Sequence, residues 1–156
     1  MSLTGEQAID TPDPMAIAQQ CAALHSRVFS RLVTRHYNAY LRPTGLMVTQ
    51  FTIMNAITLF TPDSIHHLAE TLGMERTSLQ RTVDKMIDKG LLQTRSSGHS
   101  RSLELSLTTE GKRIYKEASV KWNEAHQAFV DMAGTEEWSS VAEKLQDFSA
   151  SLKSNL

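Results

Sequence analysis

One cysteine, Cys21, stands in 156 residues, so no disulfide can form within the chain. No apolar run approaches the ~18–20 residues that a membrane-spanning helix needs. A span and a signal core are therefore excluded, and the expected location is the cytoplasm. Neither charge is in surplus: 16 lysines and arginines face 17 aspartates and glutamates, for a net charge of -1. That balance argues neither for nor against a polyanionic partner. The letters of metal and cofactor chemistry are also missing. There is no cysteine cluster, no HExxH and no phosphate-cradling glycine loop. His66 and His67 are adjacent, so their side chains diverge on a helix. His25 and His36 are far apart, and His99 and His126 have no ligand pair at diagnostic spacing. No metal, cofactor or enzymatic reaction is expected. No internal repeat or low-complexity tract is present.

What is there is a local arrangement of charge. Residues 22–45 carry four arginines and no acid, and the first twenty residues carry three acids and no base. Residues 65–107 hold six basic and five acidic groups, while from Glu110 onward acids lead bases by eight to six. A phosphate-binding surface on this chain has to be a local one.

The pattern predicts a mainly α-helical protein with a small β ribbon. Asp13 before Pro14 is a helix start, with aspartate as cap and proline in the first turn. One long helix is expected from there to about Leu41, its apolar side at Ile17, Cys21, Leu24, Val28 and Leu32. Arg42-Pro43-Thr44-Gly45 breaks it. A second helix runs from about Val48 to Phe60. Ser64 caps a short helix that turns Leu68, Ala69 and Leu72 inward, and Gly73 supplies a turn. The next helix, about Glu75 to Lys89, buries Leu79, Val83, Met86 and Ile87, with Gly90 as its C-cap. Leu103, Leu105 and Leu107 alternate with polar residues as a half-buried strand. Its partner is Leu92 to Arg95, with Ser97-Gly98 at the hairpin tip. Thr109, Glu110 and Gly111 open a helical region that is interrupted at Met132 to Thr135 and then resumes.

Short helix, glycine turn, second helix and ribbon form the pattern of a winged helix-turn-helix, whose second helix enters the DNA major groove. The expected organisation is a DNA-binding domain over residues 48–110 and a helical dimerisation region over residues 13–47 and 111–156. The flanking helices carry Leu24, Phe29, Tyr37, Tyr40, Trp122, Phe129, Trp138 and Phe148. So much apolar surface needs cover, either within one chain or between two intertwined copies. A homodimer also supplies the paired recognition helices of a two-fold DNA reader.

The groove-facing candidates are Arg76, Thr77, Ser78, Gln80 and Arg81. Arginine and glutamine reach base edges with paired hydrogen bonds, and threonine and serine are short enough for base or phosphate contact. Arg95, Ser97, Gly98, His99 and Arg101 are candidates at the ribbon. Small residues there allow close approach to a sugar-phosphate backbone, and Arg101 is placed to read the minor groove or its phosphates. The bland alternatives are a solvated helix end, a solubilising hairpin charge and, for Arg95, a structural clamp.

Several letter strings together resemble the MarR family of bacterial transcription regulators: Leu41-Arg42-Pro43 to Gly45-Leu46, Gln50-Phe51, Leu68-Ala69 to Leu72-Gly73, Thr77 to Lys85, Gly90-Leu91, and Leu107-Thr108 to Gly111. The resemblance implies a homodimer on a palindromic double-stranded operator, acting as a repressor that a small aromatic or lipophilic effector releases. The family's wing commonly carries Asp-Arg-Arg; here the letters are His99-Ser100-Arg101, without the carboxylate. A helical interaction module without DNA binding is the alternative reading of this weakened wing.

An effector pocket is expected between the first two helices and the winged domain. Arg27, Arg31 and Arg35 form a basic stripe at four-residue spacing, with His25, His36, Tyr37 and Gln50 nearby. In another reading those arginines pair with acids such as Glu124 or Asp131. Cys21 is a redox candidate: the peroxide-sensing branch of the family is similar around its reactive cysteine, although His25 here replaces the tyrosine. The alternative for Cys21 is a core residue sharing a face with Ile17, Leu24 and Val28.

Overall fold

A computed structural model of the chain describes residues 11–96 and 103–155. It divides into two compact units, residues 1–34 and 35–156. In the first unit α1 (Pro14–Gln20) begins as the letters require, the Asp13 carboxylate accepting the Met15 N–H. The expected single helix to Leu41 is corrected to two. Cys21 adopts an extended backbone (φ -70°, ψ 103°), and α2 (Ala22–Leu41) starts afresh behind it. The break satisfies its own polar groups. Cys21 N–H closes α1 on the Ile17 carbonyl, and the Cys21 carbonyl accepts from Leu24 and His25. The His25 Nε2–H then takes the Gln19 carbonyl at 3.0 Å. Apolar spacing is blind to one changed ψ, so the sequence pattern ran through the break. Ile17, Leu24, Val28, Phe29 and Leu32 are 39–54 % exposed.

The second unit holds the core. Behind Leu41 come a 3₁₀ turn (Arg42–Thr44) and Gly45, then α3 (Val48–Phe60), α4 (Ile65–Leu72), α5 (Arg76–Asp88), β1 (Leu92–Ser96), β2 (Leu103–Leu107), α6 (Thr109–Ala133) and α7 (Thr135–Lys153). The apolar residues of α3 cluster with Leu68 and Ala69 of α4, with Leu79, Val83 and Met86 of α5, and with Leu92, Leu105 and Leu107 of the ribbon. Leu72 packs inward against this cluster while half-buried, and Ile87, expected to be buried, is half-buried at its margin. β1 and β2 pair antiparallel with Leu92 opposite Leu107. Leu105 and Leu107 are buried while Glu104 and Ser106 are not, as the alternation predicts. The hairpin tip at Ser97-Gly98 lies outside the described residues.

One junction ties α5 to the ribbon and to α6. The C-cap of α5 is Lys89 rather than Gly90. Gly90 follows at φ 69°, a left-handed conformation that only glycine adopts without strain, and Leu91 N–H returns to the Met86 carbonyl. Thr108, the cap of α6, donates its hydroxyl to the Gly90 carbonyl at 2.6 Å and accepts the Gly111 N–H at 2.9 Å. A Cβ on Gly111 would lie 2.0 Å from the Leu91 carbonyl oxygen, so the approach requires glycine. The separated strings Gly90-Leu91 and Thr108 to Gly111 are two halves of one fastening.

An aromatic stack secures α6 to α3. The rings of Tyr115, Phe51, Trp122 and His126 follow one another at 5.4, 6.3 and 4.9 Å. Tyr115 donates its hydroxyl to Asn55 at 2.6 Å. Phe129 meets Trp138 edge-on at 4.9 Å, where Gly134 alone interrupts the helical path. Beyond that corner α7 buries no residue. Among the described residues no helix is long and apolar enough to cross a membrane.

Candidate nucleic-acid interface

Helix α4 is capped by Ser64, whose hydroxyl accepts the His67 N–H at 3.1 Å. It ends at Gly73, and Met74 N–H returns to the Ala69 carbonyl. Helix α5 then starts behind Glu75, which makes no side-chain cap. Its first-turn N–H groups, at the positive end of the helix dipole, are open to an anion.

The sequence-predicted set on α5 lies outside the helix's buried stripe. Leu79, Val83 and Met86 are buried, and Arg76, Thr77, Ser78, Gln80 and Arg81 are all exposed. At ~100° per residue, Thr77 and Arg81 point most directly away from the buried stripe. Gln80 is not free: its amide donates to the Asp84 carboxylate at 2.8 Å. Asp84 was not among the predicted residues, although an i, i+4 Gln–Asp pair is legible in the letters. A cleft of about 610 Å³ runs beside this face, with Ser64, His66, Arg76, Gln80, Asp84 and Thr94 among its lining. His66 and His67 diverge as adjacency requires, His66 toward Glu70 at 3.3 Å and His67 toward Asp63 at 3.4 Å. Ser97, Gly98, His99, Arg101 and the side chain of Arg95 lie outside the described residues. The backbone places Arg95 opposite Glu104 in the ribbon.

The expected effector residues are divided between the two units, His25, Arg27 and Arg31 in the first and Tyr37 and Gln50 in the second. Gln50 is a capping residue, its Oε1 accepting the Met47 N–H at 2.9 Å. Tyr37 is buried and shares a hydrogen bond of 3.0 Å with His126 Nδ1. Burial raises the Tyr37 pKa above the ordinary phenol value. His25 is engaged with Gln19 at the break between α1 and α2. Arg27, Arg31 and Arg35 are exposed. The acids suggested as their partners are engaged within α6, Glu124 with Lys121 and Asp131 with Gln127. Cys21 is half-buried at the helix break. A residue set that the sequence reading missed lines a cleft of about 330 Å³ between α3 and α6: Phe51, Asn55, Tyr115, Ser119, Trp122 and Asn123. At the start of α6, Arg113 donates to both Glu110 and Glu117. The hydrogen bond from Arg113 holds the Glu110 carboxyl below the usual carboxylate range.

A capped helix, a glycine turn, a helix with one polar face and an antiparallel ribbon define a winged helix-turn-helix protein. Residues 44–102 match the MarR family. The chain is 26 % identical over 92 residues to the uncharacterized HTH-type transcriptional regulator YwoH of Bacillus subtilis (strain 168), covering 59 % of this chain and 67 % of that one. It superposes on the M. tuberculosis transcriptional regulator MosR in complex with DNA, with TM-score 0.77 and 26 % identity over 86 % of this chain and 98 % of that one. The transcriptional repressor CouR, bound to a 23-mer DNA duplex, shares the fold at TM-score 0.76 and 18 % identity, over 89 % of this chain and 99 % of that one. Over residues 44–102 the chain is similar to the MarR family of transcriptional regulators, and it shares the fold of the two DNA-bound regulators over most of its length.

Proposed function

We propose that this protein is a cytoplasmic, homodimeric, sequence-specific repressor that lays α5 into the major groove of a palindromic operator. The observation that carries this reading is the outward face of α5. Arg76, Thr77, Ser78, Gln80 and Arg81 stand in solvent on a helix whose other side is fixed by Leu79, Val83 and Met86. The DNA in the MosR complex supports the same use of the fold here. The organisation follows: residues 48–110 read DNA, while residues 13–47 and 111–156 join two copies. The ribbon, with Arg95, Ser97, Gly98, His99 and Arg101, tracks the neighbouring minor groove and its phosphates.

The test is binding to the DNA upstream of the protein's own gene against a scrambled duplex at physiological salt. Preferred binding by about a thousandfold is expected; equal affinity would leave a helical interaction module. Arg81→Ala should relax base preference at a cost of ~1–3 kcal/mol, and Arg101→Ala should weaken binding to all sequences and reduce the salt slope by about one.

Release by a small aromatic or lipophilic effector belongs to the same proposal. The cleft walled by Phe51, Tyr115 and Trp122 is a better home for it than the arginine stripe. It offers aromatic faces with Asn55, Ser119 and Asn123 as polar groups, the usual composition of a small-molecule site.

A further inference from the structure

We propose that Lys153 is a positioning residue for DNA reading: it latches the far end of α7 onto the helix-turn-helix. Helix α7 is 19 residues long, roughly 28 Å. Near its first turn it is held by the contact of Trp138 with Phe129. In its last turn, the Lys153 Nζ donates to the main-chain carbonyl of Glu70 at 2.9 Å. Between these two points Val141, Leu145, Phe148 and Leu152 are exposed.

The acceptor is well chosen chemically. Glu70 lies in the last turn of α4, where carbonyls lack helical partners and the dipole is negative. The same carbonyl accepts the Gly73 N–H that forms the turn into α5. An ammonium group there stabilises the end of α4 and the start of the turn together. Lys153 also closes one side of a cleft whose other walls are Glu70, Gly73, Met74, Glu75 and Arg76, the residues that lead into the reading helix. The inference rests on the proposed function. If the ends of the chain join two copies, α7 connects that junction to the turn that sets α5. A freed α7 would leave each reading helix looser relative to its twin.

Two measurements test it. Lys153→Met is compared with Lys153→Arg, which keeps a cationic donor. In the free protein, amide hydrogen exchange at Gly73 and Met74 should quicken about fivefold in the methionine variant, the order expected for one charge-assisted hydrogen bond. The arginine variant should restore most of the protection. Unchanged exchange overturns the latch whether or not the protein binds DNA.

The second probe is a duplex selected from a random-sequence library by the wild-type protein, and the same duplex with one base pair inserted between its half-sites. Insertion turns one half-site by about 34°, so the wild type should discriminate strongly. The methionine variant should discriminate about threefold less, with its salt slope unchanged. Undiminished discrimination overturns the positioning role. A salt slope reduced by about one overturns it too, since the lysine would then be touching phosphate. A library that yields no preferred duplex counts against the proposed function, and hydrogen exchange still decides the latch.

Discussion

The reading head and the outer helices solve the burial problem in different ways. In the head, α3 alone buries Phe51, Ile53, Met54, Ala56 and Ile57, and the helix-turn-helix and ribbon close around them. In the outer helices, α1 and α7 bury nothing, and α2 buries only Tyr37 and Leu41 near its end. Composition does not explain the contrast, since both regions carry apolar residues at helical spacing. In the head the apolar faces point at each other within one chain. In the outer helices Leu24, Val28, Leu32, Val141, Leu145, Phe148 and Leu152 stand in solvent. Monomers rarely leave such stripes uncovered, and the proposed second copy would cover them.

The largest expected effect comes from breaking the head. Leu79, on the inner side of α5, is fully buried. Leu79→Ala should lower unfolding stability by about 2–5 kcal/mol, through lost transfer energy and the cavity left behind. Chemical denaturation at two protein concentrations checks the contrast: the loss should be nearly the same at both, because the site does not depend on a partner. A loss that vanishes at high concentration would mean that the head, too, is completed by the second copy.

Breaking the outer face should do the opposite. Phe148 and Leu152 are each 64 % exposed and lie four residues apart on α7. The double variant Phe148→Glu with Leu152→Glu should raise the dimer dissociation constant about a hundredfold or more, since each apolar side chain contributes ~1.5–3 kcal/mol when fully buried. Sedimentation velocity reads the shift to monomer, while near-ultraviolet circular dichroism of the head should change little. A variant that stays dimeric would show that α7 lies outside the interface.

The same contrast explains which parts of the protein were legible in its letters. Boundaries in the head were readable because each is marked by its own chemistry: Ser64 as a cap, Gly73 at a turn, Pro43 and Gly45 after α2, alternation from Leu103 to Leu107. The break at Cys21 was not readable, because the residues on either side of it continue a helical apolar pattern. The capping role of Gln50 was not legible, because such pairs are sought three residues after serine, threonine, aspartate or asparagine, and here Met47 precedes the helix. The hydrogen bond of Tyr37 was not legible either, since its partner His126 is 89 residues away. Such a pairing has no local signature. The outward set on α5 was legible because one helix presents all of it, whereas the cleft of Phe51, Asn55, Tyr115 and Trp122 needs two helices brought together.

The smallest expected effect is a gain, and it sharpens the comparison from the head's side. Thr61 ends α3 in the left-handed conformation (φ 44°, ψ 62°), the only described residue other than glycine with positive φ. A β-branched residue is strained there, because its Cβ crowds the neighbouring backbone. The conformation persists because Thr61 N–H closes the helix on the Ile57 carbonyl at 3.2 Å. Thr61→Gly removes the strain but gives the unfolded chain more freedom to lose, so the two effects partly cancel. A net stabilisation of about 0.5–1 kcal/mol is expected, read as a rise of a few degrees in Tm. The strain is local to the head, so the gain should survive in the monomeric Phe148→Glu, Leu152→Glu background. A gain seen only in the dimer would tie the end of α3 to the partner copy, and a loss would show that the threonine side chain contributes more than its backbone costs.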